Sequence, residues 1–429
     1  MTRGGRPARI ARGASLVALA AAGCATRDIV AETGGAPAYC RGTGPAILVG
    51  DGVTIGDGDG TPDSVCTGTV AVRTFTRALC TCEGYATSTT LTTDSFDSAA
   101  GPYAPGGTSG DVGIDGELRT SALVDVRGGV AVSGAAGAVL LADLRVAHDL
   151  AIAGALGTGV TVTAGGDAHL AGSIDLAALT VAGTLTVAPG AGLGGTVSAG
   201  ATVRAPVEIA APCACGAGDL VDIPAFVAGH AADNQDAAIG LAPGRLTDYH
   251  GAVMLDLPCG IYYVGPVRGD GALTLRVTGR AALLVDGDVS LGAPLSVELA
   301  TDDAELDLMI AGILSSNQAI SIGRADHPAR TRVYVGGSGT IELSGDSQLA
   351  GNLYAPRAAI ALSGTATVHG SLFVRRLDQS GPVTIHFDVD VRRADIACPI
   401  EAVSARRPST PDRPARRGRA RAPARPRRC

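Results

Sequence analysis

Lysine and tryptophan are absent from this 429-residue chain, and only 8 Tyr and 5 Phe supply aromatic rings. With Ala, Gly, Arg and Pro abundant, the missing lysine reads as codon bias in a GC-rich coding sequence. Scarce aromatics weigh against a sugar-stacking surface or a nucleic-acid platform, both of which use ring faces. Catalytic signatures are missing too. There is no GxSxG, no HExxH and no P-loop, the "GGSG" around Gly336 reads as a turn, and the 7 His are scattered singly. A long apolar run is also lacking, since the amino-terminal one, Ala14 to Ala22, is too short to span a bilayer.

Charge is present but unevenly placed. The formal net charge is -7, yet the first 23 residues carry four Arg and no acid, and the last 26 carry ten Arg and one Asp. The remaining body therefore holds a net charge of about -20, which repels nucleic acid. The amino terminus has a basic start, an apolar run and small residues at Ala21, Ala22 and Gly23 before Cys24. That pattern reads as a signal peptide over residues 1–23. It resembles a bacterial lipobox, with Ala21 where Leu is usual, and the resemblance implies lipidation of Cys24 and an outer-membrane anchor. An ordinary cleavage after Ala22 is the alternative.

Cysteine usage fits an exported chain. Beside Cys24 and Cys429, eight remain as disulfide candidates: Cys40, Cys66, Cys80, Cys82, Cys213, Cys215, Cys259 and Cys398. Cys80 and Cys82 are too close in sequence to pair without strain, as are Cys213 and Cys215, so each should reach a different partner. The rival is a zinc site made from the two C-x-C pairs.

The texture from Asp111 onward is periodic. "GGVAVSG" begins at Gly128, "HDLAIAG" at His148, "GDAHLAG" at Gly166 and "GTLTVAP" at Gly183, at intervals of 20, 18 and 17. Ser344-Gly345, Ser363-Gly364 and Ser380-Gly381 repeat 19 and 17 apart. Apolar residues alternate with period 2 between these marks, so one face of each short strand is apolar. Such a unit buries that face only by stacking on its neighbours, which predicts an all-β parallel β-helix with coils of 17–20 residues and glycine corners. A β-sandwich is the weaker alternative. The expected organisation is a Cys-rich loop and strand segment over 24–108, a first β-helix part over 109–210, a Cys-bracketed insertion over 211–258, a second β-helix part over 259–398, and a disordered Arg/Pro-rich tail over 399–429. Leu220, Ile223, Val227 and Ala231 predict one short helix in the insertion, capped by Asp219. About five coils precede the insertion and about seven follow it, a length of roughly 55–60 Å if continuous.

The repeats resemble bactofilin-type β-helices. "LDLPCGIYYVG", "LLVDGDVSL", "LAGNLYAP", "LSGTATVHGSL" and "IHFDVDV" look closer to a family of uncharacterised exported bacterial proteins, whose carboxy-terminal domain also occurs with pilus-assembly-type amino termini. The resemblance covers roughly residues 253–392 and implies a solenoid in the cell envelope, with no catalytic residue. Bactofilins lack signal peptides and disulfides, so their filament-forming role does not transfer.

Two constellations could carry chemistry. Asp57, Asp59 and Asp63 stand at positions one, three and seven of a Gly-rich turn similar to thrombospondin-type calcium repeats, a candidate calcium site with no bidentate Glu at the usual distance. His386, Asp388 and Asp390 share one face of a strand and could form an acid–base pair or a weak metal site. No cofactor beyond calcium is expected. The expectation is an exported, lipid-anchored structural or surface-interaction protein. Its partners would be the membrane, other copies at the solenoid ends, or an envelope polysaccharide or protein, but not nucleic acid. The alternatives are a polysaccharide lyase or hydrolase, whose carboxylates should cluster in one groove, and a pilus-associated accessory protein.

Overall fold

A computed structural model describes residues 46–49, 63–344 and 347–395. All of these belong to one of the chain's two compact units, residues 37–429. Apart from a small antiparallel pair, Ala46–Val49 with Asp63–Cys66, the named strands pair in parallel. They form the three-faced coils of a parallel β-helix.

The periodic phrases stack as predicted. On the first face Val130–Val132, Leu150–Ile152, Ala168–Leu170 and residues 185–187 lie in register, with Val130, Leu150, Ala168 and Leu185 at one depth. Their alternate side chains fill the interior and are buried. Burying each Leu-sized side chain contributes about 1.5–3 kcal/mol. Corners are held by side chains that reach the next coil. The carboxylate of Asp149 accepts from Asp167 N at 2.8 Å, Asp167 from Thr184 N at 2.7 Å, Asp143 from Thr161 N at 3.1 Å and Asp288 from Ile313 N at 3.0 Å. Glycine is required beside them: a Cβ on Gly166 would lie 2.2 Å from Asp149 Oδ1. Two of the Ser-Gly phrases are joined in a similar way, with Gly364 N donating to Ser380 Oγ of the following coil at 3.3 Å.

The order of coils in space differs from their order in sequence. Leu79–Thr81 pairs on one side with Val112–Ile114 and on the other with residues 372–374. Likewise Leu91–Phe96 lies between Val124–Val126 and Val383–Asp388. The carboxy-terminal coils, 253–388, therefore come before the amino-terminal coils, 79–204, along the solenoid axis. The first coil also begins at Leu79 rather than near residue 109. Cys80 and Cys82 sit on or beside its first strand, not in a loop-rich segment.

A strap makes this order possible. From residues 202–204 back to Leu79–Thr81 is six strand spacings, about 29 Å. The nine residues from Arg204 to Cys213 span about 30 Å when extended. Ala205, Val207 and Ile209 are half-buried while Pro206, Glu208 and Ala210 are exposed, the alternation of an extended chain laid on a surface. Two disulfides clip its end, Cys80–Cys213 and Cys82–Cys215. Each cysteine of a C-x-C pair does reach a different partner, so zinc ligation by these four is overturned. Cys259 is disulfide-bonded as well.

Beyond the strap, the helix Ile223–Gly229 begins one residue after Asp222, whose side chain accepts from Ala225 N at 3.1 Å. The cap is thus Asp222 and not Asp219, because Pro224 fits the first helical turn. A second helical turn, Asp236–Ile239, follows. Residues 234–250 then cover two of the three faces at one end of the solenoid, leaving the strand Val253–Leu257 at that end with Met254 exposed. Gln235 N donates to Ile261 O, Tyr263 N to Asp236 Oδ1, Gly265 N to Pro243 O and Arg268 N to Leu246 O. At the other end, none of the described residues covers 193–204 in this way, and Leu193 and Val203 are exposed. Arg204, in register with buried Val187, turns its guanidinium onto the carbonyls of Ala188, Pro189 and Ala191. A charge at an inward position is a known way to blunt a strand edge.

Candidate functional site: the seam between the two halves

The reordered coils bring together residues almost 300 positions apart. His369, His386 and Asp94 are register partners on three successive coils, the last two facing each other across the seam. His386 Nδ1 lies 2.6 Å from Asp94 Oδ1, and the Tyr103 hydroxyl donates to Asp94 Oδ2, also at 2.6 Å. The Tyr103 ring packs on the His386 ring at 4.0 Å, and the two imidazoles are 5.0 Å apart. Phe96 closes the group edge-on, 5.4 Å from Tyr103 and 6.5 Å from His369. Burial and the neighbouring His386 hold His369 below the usual histidine range, with Asp94 opposing. Burial and the Asp94 carboxylate push the Tyr103 hydroxyl up to about 12.

Of the three residues that alternate at the end of the last strand, only His386 joins this cluster. Asp388 is buried and structural, accepting from Ser98 N, Ala329 N and Asp390 N, each at 3.0–3.1 Å. Asp390 lies past the strand, in the turn Val389–Arg393, and holds Arg393. The expected acid–base trio is therefore not assembled. The residues that do face His386 carry no local sequence signal, because Asp94, Tyr103 and His369 meet it only through coil stacking.

The seam is laced by further polar contacts. The Tyr85 hydroxyl donates to Gln379 Oε1 at 2.6 Å, and Gln379 Nε2 donates to Thr89 Oγ1 at 2.8 Å. The Ser371 hydroxyl donates to Arg77 O, and Arg393 pairs with Asp97. Nearby, Arg332 is buried with Asp307, 2.6 Å away, and with Glu305, which Arg280 also approaches at 3.3 Å. Burial pulls the Arg332 guanidinium down, but Asp307 and Glu305 more than offset it, so it stays charged.

A cleft of about 400 Å³ lies on the first face, lined by Arg77, Asp111, His148 and Asp149 among others. Its carboxylates are already engaged: Asp111 accepts from Gly129 N at 2.8 Å and Asp149 from Asp167 N. Among the described residues no group of His, Cys, Asp and Glu is arranged to hold a metal ion. Asp57 and Asp59 lie outside the described residues, and Asp63 starts the strand Asp63–Cys66. Cys24, Cys40, Cys398 and the Arg-rich tail also lie outside them.

Fold and site together define a disulfide-clipped parallel β-helix. Residues 227–394, from the covering helix to the end of the last coil, match the model of a domain of unknown function, DUF7305. No curated protein and no solved structure matches the chain, so the expected likenesses to bactofilins and to pilus-assembly proteins find no counterpart there.

Proposed function

We propose that this protein is an exported structural or surface-interaction solenoid of the bacterial cell envelope, tethered by a lipid on Cys24. The observation that carries the structural role is the use of the coil carboxylates. Asp111, Asp143, Asp149, Asp167 and Asp288 each accept from a backbone N–H of the adjoining coil, including Asp111 and Asp149, the two that share the cleft on the first face. A glycosidase needs two carboxyl groups held free on either side of a sugar bond. Export is supported by the disulfide-bonded cysteines, which persist in oxidising compartments.

At one end of the solenoid residues 234–250 cover two of the three faces, and at the other Arg204 blunts an edge strand. The protein therefore works as a single solenoid, meeting envelope partners along its flanks rather than through its ends. The test is fractionation of a Gram-negative host making the full chain with its own amino terminus. The protein should partition with membranes in oxidised form, and Cys24→Ala should move it to the soluble periplasmic fraction. Accumulation in the cytoplasm with reduced thiols would contradict the proposal.

A further inference from the structure

The chemistry at the seam has a consequence beyond holding coils together. His369 and His386 stack 5.0 Å apart, and among the described residues the carboxylate that contacts these rings is that of Asp94, on His386. Tyr103 covers His386 and spends its hydroxyl on the same carboxylate. We propose that this cluster makes the seam an acid-sensitive joint, at which the carboxy-terminal coils loosen from the coil of residues 79–96 before any other part of the solenoid opens.

The groups facing the two imidazoles decide the sign. From the strand Leu91–Phe96 comes Asp94, and from the loop after it Tyr103, neutral far above physiological pH. From Ala366–His369 and Val383–Asp388 come the two histidines themselves. Two residues along, Asp388 is engaged with three backbone N–H groups and does not contact either ring. Thus a proton added to His369 meets one carboxylate that already serves His386 and Tyr103. Because His369 is held below its ordinary value of 6.5, the folded state resists that proton more than the unfolded chain does. Stability contributed by keeping it neutral is complete above that value and is lost as pH falls below it. The loss falls on the seam because both sides of the joint meet at these residues.

Hydrogen exchange of the full oxidised chain, followed by mass spectrometry and corrected for intrinsic rates, tests this. Between about pH 7.5 and about pH 5.5, peptides covering 91–108 and 383–388 should lose protection about tenfold, while peptides covering 130–187 keep theirs. His369→Gln, neutral throughout, should abolish that selective loss. Asp94→Asn removes the one group that opposes the downward shift of His369, so the loss should start at the same pH but run deeper and further toward acid. A wild-type seam whose protection changes no more than that of residues 130–187 would overturn the proposal. So would a His369→Gln chain with the wild-type profile, or an Asp94→Asn chain whose loss at acid pH is no deeper than the wild type's.

Discussion

The two halves of the solenoid solve the same stacking problem with different cover. Coils 79–204 leave most of their first face to solvent and the thin strap, and there strands read buried, exposed, buried, as in Ala168–Leu170. In coils 253–388 the same face is covered. The helix Thr67–Thr74 and the following Phe75 lie over it, with Phe75 5.6 Å from Tyr334, and Val221 N donates to Tyr354 Oη beside the helix Ile223–Gly229. Strands there are buried on both sides, as in Thr331–Val335, and alternation gives way to near-continuous apolar runs. The outward row Tyr334, Tyr354, Phe373 is an aromatic stack along the axis, and it is continued by Cys80 of the clip and then by Gly113. Phe75, Tyr334, Tyr354 and Phe373 thus lie where this face is sealed.

Substitutions should separate the covered half from the open one. The largest effect is expected for Arg332→Leu, which strands Asp307 and Glu305 in the interior. Chemical denaturation should show a loss of about 3–5 kcal/mol, whereas Arg145→Leu on the exposed face of the other half should change little. Phe373→Ala should cost about 3–5 kcal/mol through the cavity it leaves. His169→Ala, exposed on the same face of the open half, should stay within about 0.5 kcal/mol. Removing one corner cap with Asp167→Ala should cost about 1 kcal/mol, visible as a small drop in melting temperature.

The smallest effect concerns pH. Burial holds the Asp388 carboxyl above the ordinary carboxylate range despite its backbone donors. The folded state therefore takes up that proton before the unfolded chain does. Compared with Asp388→Asn, the wild-type chain should gain stability as pH falls through the window between its raised value and 3.8. An unchanged difference between the two across that window would mean that Asp388 titrates alike folded and unfolded.

Much of the coil architecture was legible because it is written locally. Gly128, His148, Gly166 and Gly183 mark successive first-face strands, and period-2 alternation between them fixed which side chains point inward. Separate partners for Cys80 and Cys82 followed from chain geometry alone. The spatial order of the halves was not legible. Nothing near Leu79 or Val383 states that their coils adjoin; the information lies in a strap just long enough to return the chain to its first coil. The seam cluster was hidden for the same reason. His386 was visible on its strand face, but Asp388 beside it serves backbone N–H groups, and the partner that matters, Asp94, is 292 positions away.

The central claim is that coils 253–388 precede coils 79–204 in space, and cysteine cross-linking tests it most directly. Thr92 and Thr384 are register partners across the seam. Ser198 and Met254 occupy the same face on the last and first coils at opposite ends, where a solenoid stacked in sequence order would make them neighbours. In dilute full-length protein, Thr92→Cys with Thr384→Cys should form an intramolecular disulfide found by peptide mass spectrometry, while Ser198→Cys with Met254→Cys should stay reduced. A cross-link in the second pair and free thiols in the first would contradict the account.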